Sequence, residues 1–172
     1  MENLKKYISE ISNFPREGIL FKDINPIYKD PKIWNQIMIP LVEQVKIYKP
    51  EYIAGIESRG FISASAIAFT LGIGFIPIRK ANKLPGKVIG INYQLEYGED
   101  RLEIQDGLFK QKNRIMIIDD LLATGGTASA AGKLIGAAGG DLIGFAFLIE
   151  LTKLLGRRRL DPNVNFYSVI KY

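Results

Sequence analysis

The chain has 172 residues, of which 47% are hydrophobic and 24% charged, and a formal net charge of +5. That length supports one well-buried core rather than two, and no apolar run in it approaches the roughly 20 residues that would span a bilayer. Cysteine and histidine are both absent, which excludes disulfides, thiolate zinc sites, Ser-His and Cys-His catalysis and imidazole acid-base chemistry. Carboxylates, lysine, tyrosine, backbone dipoles and oxygen-bound metals are left to do any chemistry.

In chain order, the opening MENLKKYISEISNF carries two lysines but no continuous apolar segment and no small-residue cleavage site. It does not read as a secretory signal, and a cytoplasmic location is expected. FPREGILFKDINPIY then predicts an extended piece, followed by a helix over 31–48 that caps one end of a sheet. Apolar runs alternate with helical patterns from there on: YIAGI at 52–56, the alanine-rich FISASAIAFTL, GFIPI at 74–78, RIMII at 114–118, TASAAGKLIGAA, and LIGFAFLI at 142–149. Strands this apolar, spaced by helices, are buried on both faces and parallel. The expected fold is therefore α/β, a single domain with a doubly wound, mostly parallel sheet and helices on both faces. Residues 80–107 interrupt the rhythm: VIGINYQL and RLEI alternate weakly around the turn signal GED, which predicts a hairpin on a long polar excursion, a flexible lid. There are no repeats and no low-complexity tract.

The stretch IMIIDDLLATGGTASAAGKL, 115–134, concentrates the chemistry. A buried parallel strand ending in Asp119 and Asp120 delivers two carboxylates to the carboxyl edge of the sheet, where doubly wound folds place their ligand crevice. Gly125 and Gly126 let backbone approach an anion, and a helix beginning at about Thr127 points free amides and a positive dipole end at it. Carboxylates repel phosphate, so their presence beside such a cradle calls for hydroxyls that donate to them or for a divalent metal. A sugar phosphate supplies the hydroxyls. A nucleotide-hydrolysing phosphate loop is excluded, because Gly126 and Gly132 are one residue too far apart and Lys133 is followed by leucine. Gly72-Ile73-Gly74 precedes a strand and reads as a helix C-cap and turn, not as a dinucleotide fingerprint. The bland alternative for the two acids is a helix N-cap beside a solvated carboxylate. The positive charge fits an anionic partner, either nucleic acid or a phosphorylated small molecule, and would also serve solubility alone.

Several motifs in order, FPREGILFKDINP, GIESRGF, RKANKLPG, LEYGEDRLEIQ, DDLLATGGT and IELTKLLGR, together resemble the adenine phosphoribosyltransferase family over nearly the whole chain. The resemblance implies transfer of the phosphoribosyl group of 5-phosphoribosyl 1-pyrophosphate to adenine, giving AMP and pyrophosphate with magnesium present. Magnesium would be held mainly through pyrophosphate and ribose hydroxyls, with no protein ligand expected. It implies that Ala123, Thr124, Gly125, Gly126 and Thr127 wrap the 5-phosphate and that Asp119 and Asp120 accept from the ribose. The loop Glu57, Ser58, Arg59, with a non-proline cis peptide, would hold the pyrophosphate, joined by Arg79, Lys80 and Lys83, which in the family can reach a neighbouring subunit of a homodimer. The segment Leu20, Phe21, Lys22 within a base-binding cap at 1–35, with Leu151 on the opposite face, would hold adenine, although arginine is the more usual residue at position 22. Glu96, the best acid-base candidate in a chain without histidine, and Tyr97 would act from the lid. Phe21 and Leu151 read in isolation as core, Arg59 as a surface ion pair, the basic run as a solvated face and Glu96 as a solvent-facing hairpin residue. Two alternatives stay open: the same transfer to another purine, and a non-catalytic RNA-binding regulator on the same fold. No recognition helix, RNA-binding aromatic motif or added DNA-binding domain supports the latter, so neither a nucleic-acid nor a membrane partner is expected.

Overall fold

The computed structural model describes residues 2–14, 16–94, 98–110 and 112–172. After a 3-10 helix over Glu2–Tyr7 comes a two-stranded antiparallel sheet, β1 (Ser9–Ser12) with β2 (Leu20–Asp23), followed by the short helix α1 (Asn25–Lys29) and the long helix α2 (Pro31–Tyr48). Asp30 fixes the start of α2: its Oδ1 accepts from the amides of Lys32 at 2.9 Å and Ile33 at 3.2 Å, and Pro31 occupies the first turn, where no amide is needed. From this start Ile33, Ile37, Leu41 and Val45 fall on one buried stripe.

The main sheet is built from β3 (Tyr52–Ile56), β4 (Gly74–Lys80), β5 (Val88–Gln94), β6 (Glu99–Gln105), β7 (Arg114–Leu122), β8 (Asp141–Glu150) and β9 (Asn165–Lys171), in the order β5-β6-β4-β3-β7-β8-β9. Strands β4, β3, β7, β8 and β9 are parallel, and β6 and β5 are antiparallel. Helix α3 (Gly60–Leu71) packs with α2 on one face, over Ile53, Met116, Ile118 and Leu148. Helix α4 (Gly126–Ala137) covers the other, over Ile78, Ile117, Phe145 and Phe147. Strand alternation explains the division: Ile115 and Ile117 of β7 feed one core and Met116 and Ile118 the other, so its run over 115–118 is apolar.

Three features differ from the sequence expectation. Helix α2 lies against β8, β9 and α3 on a face of the sheet instead of over its end, because its buried stripe needs a broad apolar surface. The hairpin β5–β6 joins the main sheet through Arg79↔Glu103 and Lys80↔Leu102, burying Leu102 and Ile104, so the base of the 80–107 excursion is core-forming. Strand β9, which the sequence reading passed over, pairs with β8 and buries Ser168, Val169 and Ile170. The turn expected at Gly72 is present, with Gly72 at φ +66 closing α3. Among the described residues no helix is long and apolar enough to cross a membrane.

Replacing the capping carboxylate, Asp30→Ala, is expected to cost about 1 kcal/mol of stability, read as a lower urea midpoint with an unchanged denaturant slope.

Candidate active site

β3 and β7 are parallel neighbours in register, Gly55 opposite Ile118, yet the helices that follow them leave by opposite faces. A crevice opens between their carboxyl ends, the place where such a topology leaves backbone groups free to meet a ligand. It is a cavity of 740 Å³ lined by Phe21, the loop Glu57–Arg59, Lys80, Asp119, Asp120 and the segment 121–128.

The acids sit on the strand itself, since β7 runs on to Leu122. Asp120 is only 5% exposed, and Arg59 Nε stands 2.7 Å from its Oδ2 in ion-pair contact, although that oxygen accepts no hydrogen bond of good geometry among the described residues. Asp119 Oδ1 accepts from the Asp120 amide at 2.9 Å. Burial, reinforced by the neighbouring Asp120 charge, pushes the Asp119 carboxyl well above the ordinary carboxylate range. Burial also raises Asp120, with the Arg59 guanidinium opposing. The same guanidinium lies over the Phe21 ring, 4.9 Å from its centroid.

Beyond the acids the chain turns through 123–125 into α4. Gly125 has φ +83, no side chain caps the helix, and Gly126, Thr127 and Ala128 of its first turn line the cavity, where a helix start leaves amides free. Thr127 Oγ1 donates to Tyr93 Oη at 3.4 Å, which ties strand β5 to this loop. On the opposite wall the Glu57–Ser58 peptide is cis. Glu57 is clamped from outside the cavity: its carboxylate accepts from the Lys80 amide at 3.0 Å, from Arg79 at 3.2 and 3.3 Å and from Lys83 Nζ at 3.1 Å. Burial would raise the Glu57 carboxyl, but these donors outweigh it and hold it down at about 2.

The arrangement offers an anion cradle, two adjacent acids and a basic loop around one space, and comparisons with known proteins show the family of the chain that builds it. Residues 26–171 match the model described as the phosphoribosyl transferase domain. The chain is 64% identical to an adenine phosphoribosyltransferase of Prochlorococcus marinus (strain NATL2A), over the whole of both chains. The chain belongs to the phosphoribosyltransferase family. Its solved relatives include the adenine phosphoribosyltransferase of Thermoanaerobacter pseudethanolicus, 44% identical with a TM-score of 0.94 over 99% of each chain. Another is that of Saccharomyces cerevisiae, complexed with a dideoxy-imino-altritol bisphosphate and adenine, 38% identical with a TM-score of 0.88, covering 98% of this chain and 97% of the other. A third, from Trypanosoma brucei and 30% identical, was solved with AMP, pyrophosphate and ribose-5-phosphate; its TM-score is 0.89, over 99% of this chain and 78% of that one.

Within this phosphoribosyltransferase fold the singled-out residues divide. Phe21, Glu57, Ser58, Arg59, Lys80, Asp119, Asp120 and 123–127 meet at the cavity; Leu20, Lys22, Arg79, Lys83 and Leu151 do not line it. The Lys22 side chain turns away, pairing with Glu10 and standing 4.2 Å from the centre of the Tyr172 ring, as alternation on β2 requires once Phe21 faces the cavity. Leu151 donates its amide to Leu122 O at 2.9 Å, beside the crevice. Glu96 and Tyr97 lie outside the described residues. Sequence reasoning passed over Tyr93, whose hydroxyl also accepts from Lys80 Nζ at 3.0 Å, and Tyr28, whose buried hydroxyl has no partner among the described residues and whose pKa burial, then the nearby Asp120, raises. Neither carries a motif signal.

Two stability effects follow. The Asp119 carboxyl is raised above its ordinary 3.8, so its ionisation opposes folding at neutral pH and has no such effect once pH falls below that value. Asp119→Asn is expected to raise the thermal midpoint near neutrality and leave it unchanged in acid. Glu57 has the reverse sign: held at about 2 against an ordinary 4.5, it contributes stability above 4.5 that is lost as pH falls toward 2. Glu57→Gln is expected to flatten that part of the stability-pH profile in chemical denaturation.

Proposed function

We propose that this crevice transfers the phosphoribosyl group of 5-phosphoribosyl 1-pyrophosphate to adenine, giving AMP and pyrophosphate, as an adenine phosphoribosyltransferase of purine salvage. The observation that carries the assignment of roles is the placement of Asp119 and Asp120 between an uncapped helix start on one side and the Glu57–Arg59 loop on the other. The 5-phosphate lies against the amides of 123–127, with Thr124 and Thr127 as added donors. The ribose hydroxyls donate to Asp119 and Asp120, which supplies the hydrogen bond that the buried Asp120 Oδ2 lacks among the described residues and favours the ionised form of both.

As the anomeric carbon–oxygen bond breaks, its electron pair leaves with pyrophosphate and cationic character grows on the ribose ring. Two nearby carboxylates stabilise that state more than the ground state. Adenine N9 forms the new bond and its proton goes to a base, the role assigned to Glu96 on the lid, with Tyr97 beside it. Arg59 passes from Asp120 and the Phe21 ring to the departing diphosphate, whose geometry a guanidinium suits. That movement frees Asp120 for the ribose and Phe21 to stack on the base, with main-chain groups of Leu20 and Lys22 at its edge and Leu151 opposite. Arg79 and Lys83 serve by holding Glu57 in place and by supplying positive charge, with Lys80, at the root of the lid.

Magnesium fits this donor set. Every side chain at the crevice that can bind a metal does so through oxygen, which suits a hard ion held through substrate oxygens and water. When bound, it neutralises charge on the diphosphate. A cytoplasmic homodimer completes the reading; Ile62 and Phe69, 45% and 88% exposed on the outer side of α3, supply an apolar stripe for a second copy.

Purified protein with adenine, 5-phosphoribosyl 1-pyrophosphate and magnesium is expected to form AMP, and to favour adenine over hypoxanthine and guanine in competition; no AMP under these conditions would refute the activity. Asp119→Asn with Asp120→Asn is expected to lower kcat by about 100-fold or more while circular dichroism remains native.

A further inference from the structure

The loop 123–125 is pressed against the short turn Gly156–Arg159, which follows β8. A Cβ on Gly125 would overlap the Gly156 carbonyl oxygen and lie 3.0 Å from its carbon. A Cβ on Gly156 would overlap the Ala123 carbonyl oxygen and lie 3.0 Å from the Gly125 amide nitrogen. The two glycines face each other with no room for a side chain on either. Gly125 has a second reason to be glycine, its φ of +83; Gly156 has none, because its φ is not positive. The left-handed residue of this turn is Leu155, at φ +54. Had glycine been used for backbone freedom it would stand at 155. It stands one residue later, where the space is missing.

Gly156 is buried while the three arginines after it are exposed. The turn is fixed from outside, with the Arg157 guanidinium 4.6 Å from the centre of the Phe166 ring on β9. Earlier in the same segment the Leu151 amide donates to Leu122 O at 2.9 Å, just before the phosphate loop begins. Amides that bind an anion must converge on it, and a loop with several carbonyls and two adjacent glycines has many other conformations open to it.

We propose that Gly156 is a positioning residue for the reaction: its lack of a side chain lets the C-terminal turn serve as the mould against which residues 123–125 take their phosphate-binding shape. The proposal rests on the reading of 123–127 as the phosphate cradle. It assigns the C-terminal turn a part in binding the 5-phosphate without touching it, and leaves the Glu57–Arg59 wall, formed by other elements, independent of that turn.

That independence supplies the test. Ribose 5-phosphate probes the cradle and magnesium pyrophosphate probes the opposite wall, each measured by isothermal titration on the full chain. Gly156→Ala is expected to weaken ribose 5-phosphate by about tenfold or more and to raise KM for 5-phosphoribosyl 1-pyrophosphate in parallel, with pyrophosphate affinity and KM for adenine changed little. Ribose 5-phosphate affinity equal to wild type would overturn the proposal, and so would equal losses for both probes, which would mean a general loss of structure. Should the alanine variant not accumulate as folded protein, Arg157→Ala loosens the same turn from Phe166 without adding bulk, and is expected to give the same selective loss to a smaller degree; unchanged or unselective binding there would overturn it equally. Failure of wild type itself to bind ribose 5-phosphate would instead overturn the phosphate-cradle reading and the proposal with it.

Discussion

Two parallel strands side by side, β3 and β7, send their following helices to opposite faces of the sheet, and everything at the site depends on that split. Helices leaving by one face would close over the strand ends and bury the loops against each other. Parting, they leave a gap whose two walls are the starts of helices, with backbone amides exposed on both sides. The strands are held in register by apolar runs buried on both faces, so the gap has rigid edges although its lining is made of loops.

The site is held in tension against the stability of the fold. Two carboxyls stand next to one another on a buried strand, both raised by burial, and one guanidinium is shared among Asp120, the Phe21 ring and the diphosphate it is proposed to meet. Such an arrangement is unfavourable in the free chain and becomes favourable when hydroxyl donors and developing positive charge enter. Around it the polar contacts are of the opposite kind. Glu57 is fully supplied with donors, and Lys80 is paired with Asp100 and Tyr93, which raises the lysine despite the opposing effect of burial. The ring of satisfied pairs keeps the unsatisfied centre in place.

Elements distant in sequence converge on the loop at 123–127. Tyr93 touches it from the hairpin, the Gly156 turn from the C-terminal segment, and α4 continues it. A phosphate cradle made only of its own backbone would have to order itself on binding. Here much of that ordering is already done by packing, which would lower the entropic cost of gripping the 5-phosphate proposed to bind there.

Much of this was legible in the residues. The apolar runs YIAGI, RIMII and LIGFAFLI announced buried parallel strands because side chains on both faces needed cores, and the acids and glycines of DDLLATGGT announced a crevice because a buried strand delivers them to the carboxyl edge of the sheet. Local chemistry sufficed for those. The sequence by itself therefore determined the parallel strands β3, β4, β7 and β8 and the helices α3 and α4 between them. Only the tertiary structure decided that the hairpin 88–105 adds to the main sheet, that the Lys22 side chain turns from the cavity while Phe21 faces it, that Arg59 lies between Asp120 and Phe21, and that Gly125 and Gly156 meet with no room for a side chain on either. Each of these is a contact between segments far apart along the chain, fixed by which surfaces happen to be left unburied once the strands have paired, and no run of neighbouring residues carries that information.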